Sequence, residues 1–309
     1  MSVDVSSPPD SPTAIDAVPL RHPWRWVAAI VILILLGLFI YGASTNEAYG
    51  WGTFAKYILD ERIVNGVWIT IQLTVYSMVL AILIAVILAV MRLSPNPVFR
   101  SVSWVYLWIF RGTPVFVQLV FWGLLPTIYK NIQLGIPFGP TFFHLNIQNL
   151  SLYFLSAVLG LAFNEAAYLA EIIRAGISSV PEGQSEASTA LGMSWFLTMR
   201  RTVLPQAMRV IIPPTGNEFI GQLKTTSLAV AVPFTLDLFG RQRDIAGVIF
   251  EPIPLLLVAA AWYLLITSIL MVGQFYLERY FSRGATRKLT TKQLDALAEA
   301  QTLGEAGHV

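Results

Sequence analysis

The chain has 309 residues, 55% of them hydrophobic and 12% charged, with a formal charge of +2 and no cysteine. Soluble chains carry roughly 25% charged residues, so this composition, with a mean hydropathy of +0.64, indicates an integral membrane protein. The lack of cysteine excludes disulfides, thiolate metal sites and cysteine nucleophiles; the widely spaced His22, His144 and His308 suggest no metal site, and the small net charge gives no reason to expect nucleic acid.

Residues 1–22 are rich in Pro and Ser without an apolar period, as in a disordered cytoplasmic tail. The uncharged run Val27–Ala43 follows Arg21 and Arg25. A secretory signal is the competing reading, but the run lies late and lacks an A-x-A cleavage site. An uncleaved first helix is therefore expected over residues 23–45. Gly66–Met91 and Pro252–Leu277 are long runs without a charge. Three further segments are apolar but hold charges: Ser101–Tyr129 with Arg111, Leu150–Ile173 with Glu165 and Glu171, and Val210–Leu236 with Glu218 and Lys224. The expected fold is all-α, a polytopic membrane protein with six transmembrane helices.

Lysine and arginine set the orientation. With the N-terminus inside, thirteen fall on cytoplasmic segments and five on the opposite side, so both termini are expected in the cytoplasm. That leaves a large cytoplasmic loop over residues 177–208 and an outer loop, Asn131–Asn149, expected to be a turn-rich cap. The tail over residues 285–309 includes a short polar helix candidate, better read as a frayed cytoplasmic end.

In the cytoplasmic loop, Pro181 is suited to the first position of a helix, and Glu182 and Glu186 to its positive end. Ala187, Ala190, Leu191 and Met193 supply an apolar edge, and Gly192 allows a sharp turn after it. Trp195, Phe196, Leu197 and Met199 are apolar residues in a loop that should face water, which implies a partner.

Glu186-Ala187-Ser188, then Gly192, Thr202, Leu204 and Pro205 resemble the EAA loop of ABC importer permeases: E-A-A, three residues, Gly, nine residues, Ile, one residue, Leu-Pro. Ser188 stands where the family has the third Ala, and Thr202 where it has Ile. The segments Arg111–Gly123, Asn164–Ala187, Leu204–Leu228 and Val272–Gly284 are similar, in the same order, to the polar amino acid subfamily of these permeases. The resemblance spans roughly residues 61–284 and implies a five-helix permease core, with the first helix as an N-terminal addition.

What the resemblance implies is a subunit of the bacterial cytoplasmic membrane that pairs with a second permease subunit, as homodimer or with a close paralogue. The pair docks on a dimer of ABC ATPase subunits and receives a polar amino acid from an extracytoplasmic solute-binding protein. The coupling loop would be carried by Glu182, Gly183, Glu186, Ala187, Ala190, Leu191, Gly192, Leu204 and Pro205. None of the five lysines follows a glycine, so no phosphate-binding GK[ST] loop exists in the chain. ATP and Mg are expected only in the partner ATPase; this chain is expected to bind no cofactor or metal and to catalyse no reaction.

Charged groups inside a bilayer are expensive and mark functional candidates. A zwitterionic amino acid needs a cation for its carboxylate, Arg111 or Lys224, and an acceptor for its ammonium, Glu165 or Glu218. A structural role, tying helices together, is the competing reading for each. Gly112-Thr113-Pro114 and Pro213-Pro214 with Gly216 and Asn217 are expected to break or kink their spans. Gln222 and Thr225 belong to a polar stretch of the fifth span, completing a candidate pathway of Arg111, Thr113, Glu165, Asn217, Glu218, Gln222, Lys224 and Thr225. The tryptophans Trp24, Trp26, Trp51 and Trp68 are read as anchors in the lipid interface. An ion-driven secondary transporter would show an internal inverted repeat, and an intramembrane enzyme a nucleophile–base or metal pattern; the sequence has neither.

Overall fold

The computed structural model describes residues 23–128, 131–136, 139–146 and 152–281. The expected tails, residues 1–22 and 285–309, lie outside the described residues. Two units are present, and each is described by itself. The first holds helix α1 (Pro23–Thr45) and a 3-10 turn at Glu47–Tyr49. An 18-residue window of α1 has a mean hydropathy of 2.6, high enough to cross a bilayer.

The second unit starts at Gly50 with the short α2 (Trp51–Tyr57), followed by the long α3 (Glu61–Leu93). Asp60 caps α3, its Oδ1 accepting the Arg62 N–H at 2.9 Å. The Arg62 guanidinium donates back to both oxygens and holds the Asp60 carboxyl below its usual range. α3 packs along α6 (Leu152–Ser178). Ala81, Ala85 and Ala89 on α3, and Ala162, Ala166 and Ala170 on α6, form two ridges of buried small residues at intervals of four. In lipid there is little hydrophobic force between helices, so close approach over small residues supplies the packing.

The third expected span is two helices, α4 (Pro97–Gly112) and α5 (Val115–Ile128), bent by 103°. Asn96 caps α4 with Pro97 behind it, and Thr113 is driven into the extended region by Pro114, as the Gly-Thr-Pro run predicts. The outer loop, expected as a turn-rich cap, turns between Gly135 and Thr141. It contains an antiparallel hairpin, β1 (Asn131–Gly135) with β2 (Thr141–Asn146), in which Leu134 is opposite Phe143. Alternating apolar residues on both arms suit a ladder better than a string of turns.

After α6 come α7 (Glu182–Ala190), the single turn α8 (Trp195–Thr198), a π turn at Met199–Val203 and α9 (Leu204–Thr225). Pro213-Pro214, expected to break or kink the span, do not interrupt α9, which runs as helix through both. They remove two N–H donors but keep helical φ, and Gln274 of α11 (Pro252–Phe281) donates to the Pro213 carbonyl at 2.8 Å. The helix instead ends at Thr225 and tightens into a 3-10 turn, Thr226–Ala231. α10 (Leu238–Ile249) follows, between the fifth and sixth expected spans. Asp237 caps it through the Phe239 N–H at 3.1 Å, and Thr70 of α3 accepts the Leu238 N–H at 3.0 Å.

Three buried clusters hold the second unit together, and α3 contributes to all of them: one with α4 and α6, one with α10 and α11, one with α5, α6 and the 3-10 turn. Among the described residues, α1, α3, α6 and α11 are each long and apolar enough to cross a membrane, and the bent pair α4 and α5 makes a fifth candidate if taken as one span. The 22 residues of α9 reach about 33 Å, and they carry Arg209, Glu218 and Lys224.

Candidate coupling loop and transport pathway

Pro181 is the cap of α7 rather than its first residue, with ψ of 135°, and Glu182 opens the helix. At the other end the Met193 N–H donates to the Ser188 carbonyl at 3.1 Å and the Gly192 N–H to the Thr189 carbonyl at 2.9 Å. This is a Schellman ending with Gly192 at its left-handed position, φ +76°. A Cβ on Gly192 would meet nothing within 4 Å, so backbone strain, not crowding within the chain, is what demands glycine.

Glu182, Gly183, Glu186, Ala187, Ala190 and Leu191 are all exposed on α7 and its end, with Leu191 at 82%. Trp195 and Phe196 extend the apolar exposure onto α8, and Leu204 and Pro205 are exposed at the start of α9. Ser188 faces the opposite way, 5% exposed. Its hydroxyl lies 2.9 Å from that of Thr202 and donates to the Gln184 carbonyl at 2.8 Å. Gln206 completes the clasp, donating to the Thr202 carbonyl at 2.9 Å and to Gln184 Oε1 at 3.3 Å. Four polar side chains thus fix α7 against the root of α9.

The broken span is held by residues that the sequence reading did not single out. Gln118 of α5 donates to the Phe110 and Thr113 carbonyls at 3.0 Å each, and to Thr113 Oγ1 at 2.7 Å. Asn164 of α6 donates to the Phe110 carbonyl at 3.0 Å and to Gln118 Oε1 at 3.1 Å. The end of α4 therefore has its carbonyls satisfied by side chains, as a membrane interior requires. Position alone carried a signal: a Gln and an Asn within apolar spans need partners.

The expected pathway residues fall into separate places. Glu165 is 6% exposed and its Oε1 has no hydrogen-bond partner among the described residues; its helix α6 packs against α9, which carries Glu218. Asn217 beside Glu218 is exposed. Thr113 is spent on the break, its hydroxyl donating to the Ile109 carbonyl at 2.8 Å. Gln222 points into the core, 3% exposed, and donates to Ser77 of α3 at 3.0 Å. Thr225 bonds the Gly221 carbonyl within its own helix. Lys224 lines a groove of about 290 Å³ with Ser227, Phe239 and Tyr263. Arg111 lies apart, its guanidinium 5.4 Å from the Tyr168 ring centre.

The family described as "binding-protein-dependent transport system inner membrane component" matches residues 81–283. The chain is 61% identical over 291 residues to the arginine transport system permease protein ArgU of Corynebacterium glutamicum, covering 94% of this chain and 90% of that one. It is 39% identical over 208 residues to the histidine/lysine/arginine/ornithine transport system permease protein HisM of Salmonella typhimurium, covering 67% of this chain and 84% of that protein. A solved structure of an amino acid ABC transporter with histidines superposes with a TM-score of 0.61 at 31% identity, over 74% of this chain and 97% of that chain. The methionine transporter MetNI, at 19% identity and a TM-score of 0.52, shares the fold over 71% of this chain and 95% of its own. With the permease fold and the Glu186–Pro205 pattern in place, the chain belongs to the inner membrane components of binding-protein-dependent transport systems, as the multi-pass permease subunit of an amino acid ABC importer whose ATPase is a separate subunit.

Proposed function

We propose that the substrate of this importer is a cationic amino acid of the arginine class. The observation that carries the reading is the pair Glu165 and Glu218, two neighbouring intramembrane carboxylates with no ion pair to a cation among the described residues. A guanidinium or side-chain ammonium arriving between α6 and α9 supplies the missing charge and the missing donors. The similarity to ArgU, named for arginine transport, supports the same class. Lys224, on the exposed side of α9, is the cation for the substrate carboxylate.

The active assembly in this reading has two permease subunits, either two copies of this chain or this chain with a paralogue. An extracytoplasmic binding protein delivers substrate. The exposed face of α7, α8 and the start of α9, from Glu182 to Pro205, docks on a pair of ATPase subunits, which bind ATP and Mg. Uptake of labelled amino acids in cells lacking the gene, with and without complementation, tests the substrate. Loss and recovery confined to arginine, lysine and ornithine supports the proposal; loss confined to acidic or neutral amino acids overturns it.

A further inference from the structure

We propose that a groove along α4 on the cytoplasmic side binds the headgroup of an anionic phospholipid from the inner leaflet. Arg100, Trp104, Trp108 and Arg111 recur at intervals of four, four and three along α4, which places them on one face of the helix. A groove of about 430 Å³ is lined by Arg92, Trp104, Trp108, Arg111 and Glu171, and an adjoining one of about 240 Å³ by Arg92, Arg100 and Trp104. Because Arg92 and Trp104 line both, the two are one trough that runs from the turn between α3 and α4 up to the bend.

The charge in this trough is not balanced from within. Glu171 is committed to Arg174, whose guanidinium donates to both of its oxygens. Arg92, Arg100 and Arg111 have no carboxylate at ion-pair distance among the described residues. Three arginines around one carboxylate that is already paired describe a site for an anion, and one from which a cationic substrate is repelled. The groove is therefore separate from the carboxylate pair Glu165 and Glu218.

The surroundings choose which anion. Arg92 and Arg100 flank the turn that the charge asymmetry places in the cytoplasm, where anionic lipids enrich the leaflet. Trp104 and Trp108 stack with rings 2° from parallel and 6.2 Å apart, 51% and 64% exposed, as indoles at a lipid interface do. The phosphodiester would sit between Arg92 and Arg100, with the glycerol and upper chains over the two indoles.

Native mass spectrometry of the purified importer, permease with its ATPase, supplied with phosphatidylglycerol and phosphatidylcholine of the same chains, reads the site directly. The wild type retains phosphatidylglycerol in preference, and each of Arg92→Gln and Arg100→Gln lowers that preference by about five-fold, while Arg243→Gln, at the other end of the molecule by charge asymmetry, leaves it intact. Arg100 is exposed on the first turn of α4, so its variant keeps the reading available if Arg92→Gln fails to fold. Equal retention of both lipids, or an unchanged preference in Arg100→Gln, overturns the proposal. Displacement of the lipid by excess inorganic phosphate assigns the groove to a soluble anion and overturns it as well. Cross-linking of an Arg100→Cys importer to the ATPase or to the second permease subunit would give the groove a protein occupant, with the same consequence.

Discussion

The hydroxyls of Ser188 and Thr202 lie 2.9 Å apart, between the buried side of α7 and the turn leading into α9. These are the two positions at which the chain departs from the Ala and Ile of the EAA pattern. An apolar contact in the pattern is thus replaced here by a polar one, and each departure is the partner of the other. α7 is attached to the root of α9 through this polar contact.

That relationship predicts a non-additive cycle. Ser188→Ala or Thr202→Ile alone leaves a hydroxyl facing an apolar group and weakens the joint by about 1 kcal/mol. The double variant restores the apolar pair, and uptake driven by the ATPase returns toward wild type, with a coupling energy of roughly 0.5–1 kcal/mol. Uptake losses that simply add would show that the two side chains act independently.

Gly192 should tolerate Asn and reject Val. Asn reaches the left-handed region at little cost, whereas a β-branched residue at φ +76° is strained by about 1 kcal/mol or more. The expected result is near-normal substrate-stimulated ATP hydrolysis for Gly192→Asn and a several-fold loss for Gly192→Val. Gly192→Arg adds bulk on the exposed face, and it should leave the protein in the membrane with transport uncoupled. Undiminished arginine uptake by Gly192→Arg would count against docking through this turn.

Glu218→Gln removes one carboxylate of the intramembrane pair. Loss of a charge-assisted hydrogen bond predicts a rise of about ten-fold or more in the KM for arginine uptake, while the ATPase still co-purifies with the permease. Failure of the complex to assemble would make Glu218 a structural tie between α9 and its neighbours.

Gln118→Leu keeps the volume of the side chain and deletes its donors at the α4–α5 break. The Thr113 carbonyl loses a partner, and the melting temperature of the detergent-solubilised importer should fall, by an amount corresponding to about 1–2 kcal/mol. An unchanged melting temperature would show that water satisfies the break equally well.

Much of the architecture was legible because it depends on local chemistry. Gly112-Thr113-Pro114 cannot continue a helix, and Gly192 after an apolar edge signals a left-handed ending; both are found where expected. Pro213-Pro214 suggests a break for the same local reason, but α9 continues through both while packed along α11, a tertiary contact that the local pattern does not contain. Gln222 and Lys224 read alike as polar members of a pathway span, yet one points at Ser77 in the core and the other outward. Which face of α9 meets α3 is decided by tertiary packing, and helical phase alone cannot say which of two polar residues will be inside. Gln118 and Asn164 were overlooked because uncharged amides cost less in lipid than the carboxylates and arginines that drew attention.

The bend between α4 and α5 has a mechanical consequence. Its carbonyls are occupied from both sides, by Gln118 on one arm and by Asn164 on the neighbouring α6, and Asn164 in turn anchors Gln118. A bend that was meant to flex would leave these groups to water or to each other in turn; here, opening it breaks several hydrogen bonds at once in a medium that offers no replacements. The two arms and α6 therefore travel as one welded elbow. Displacement of that whole piece costs none of these hydrogen bonds, whereas straightening of the α4–α5 bend costs all of them.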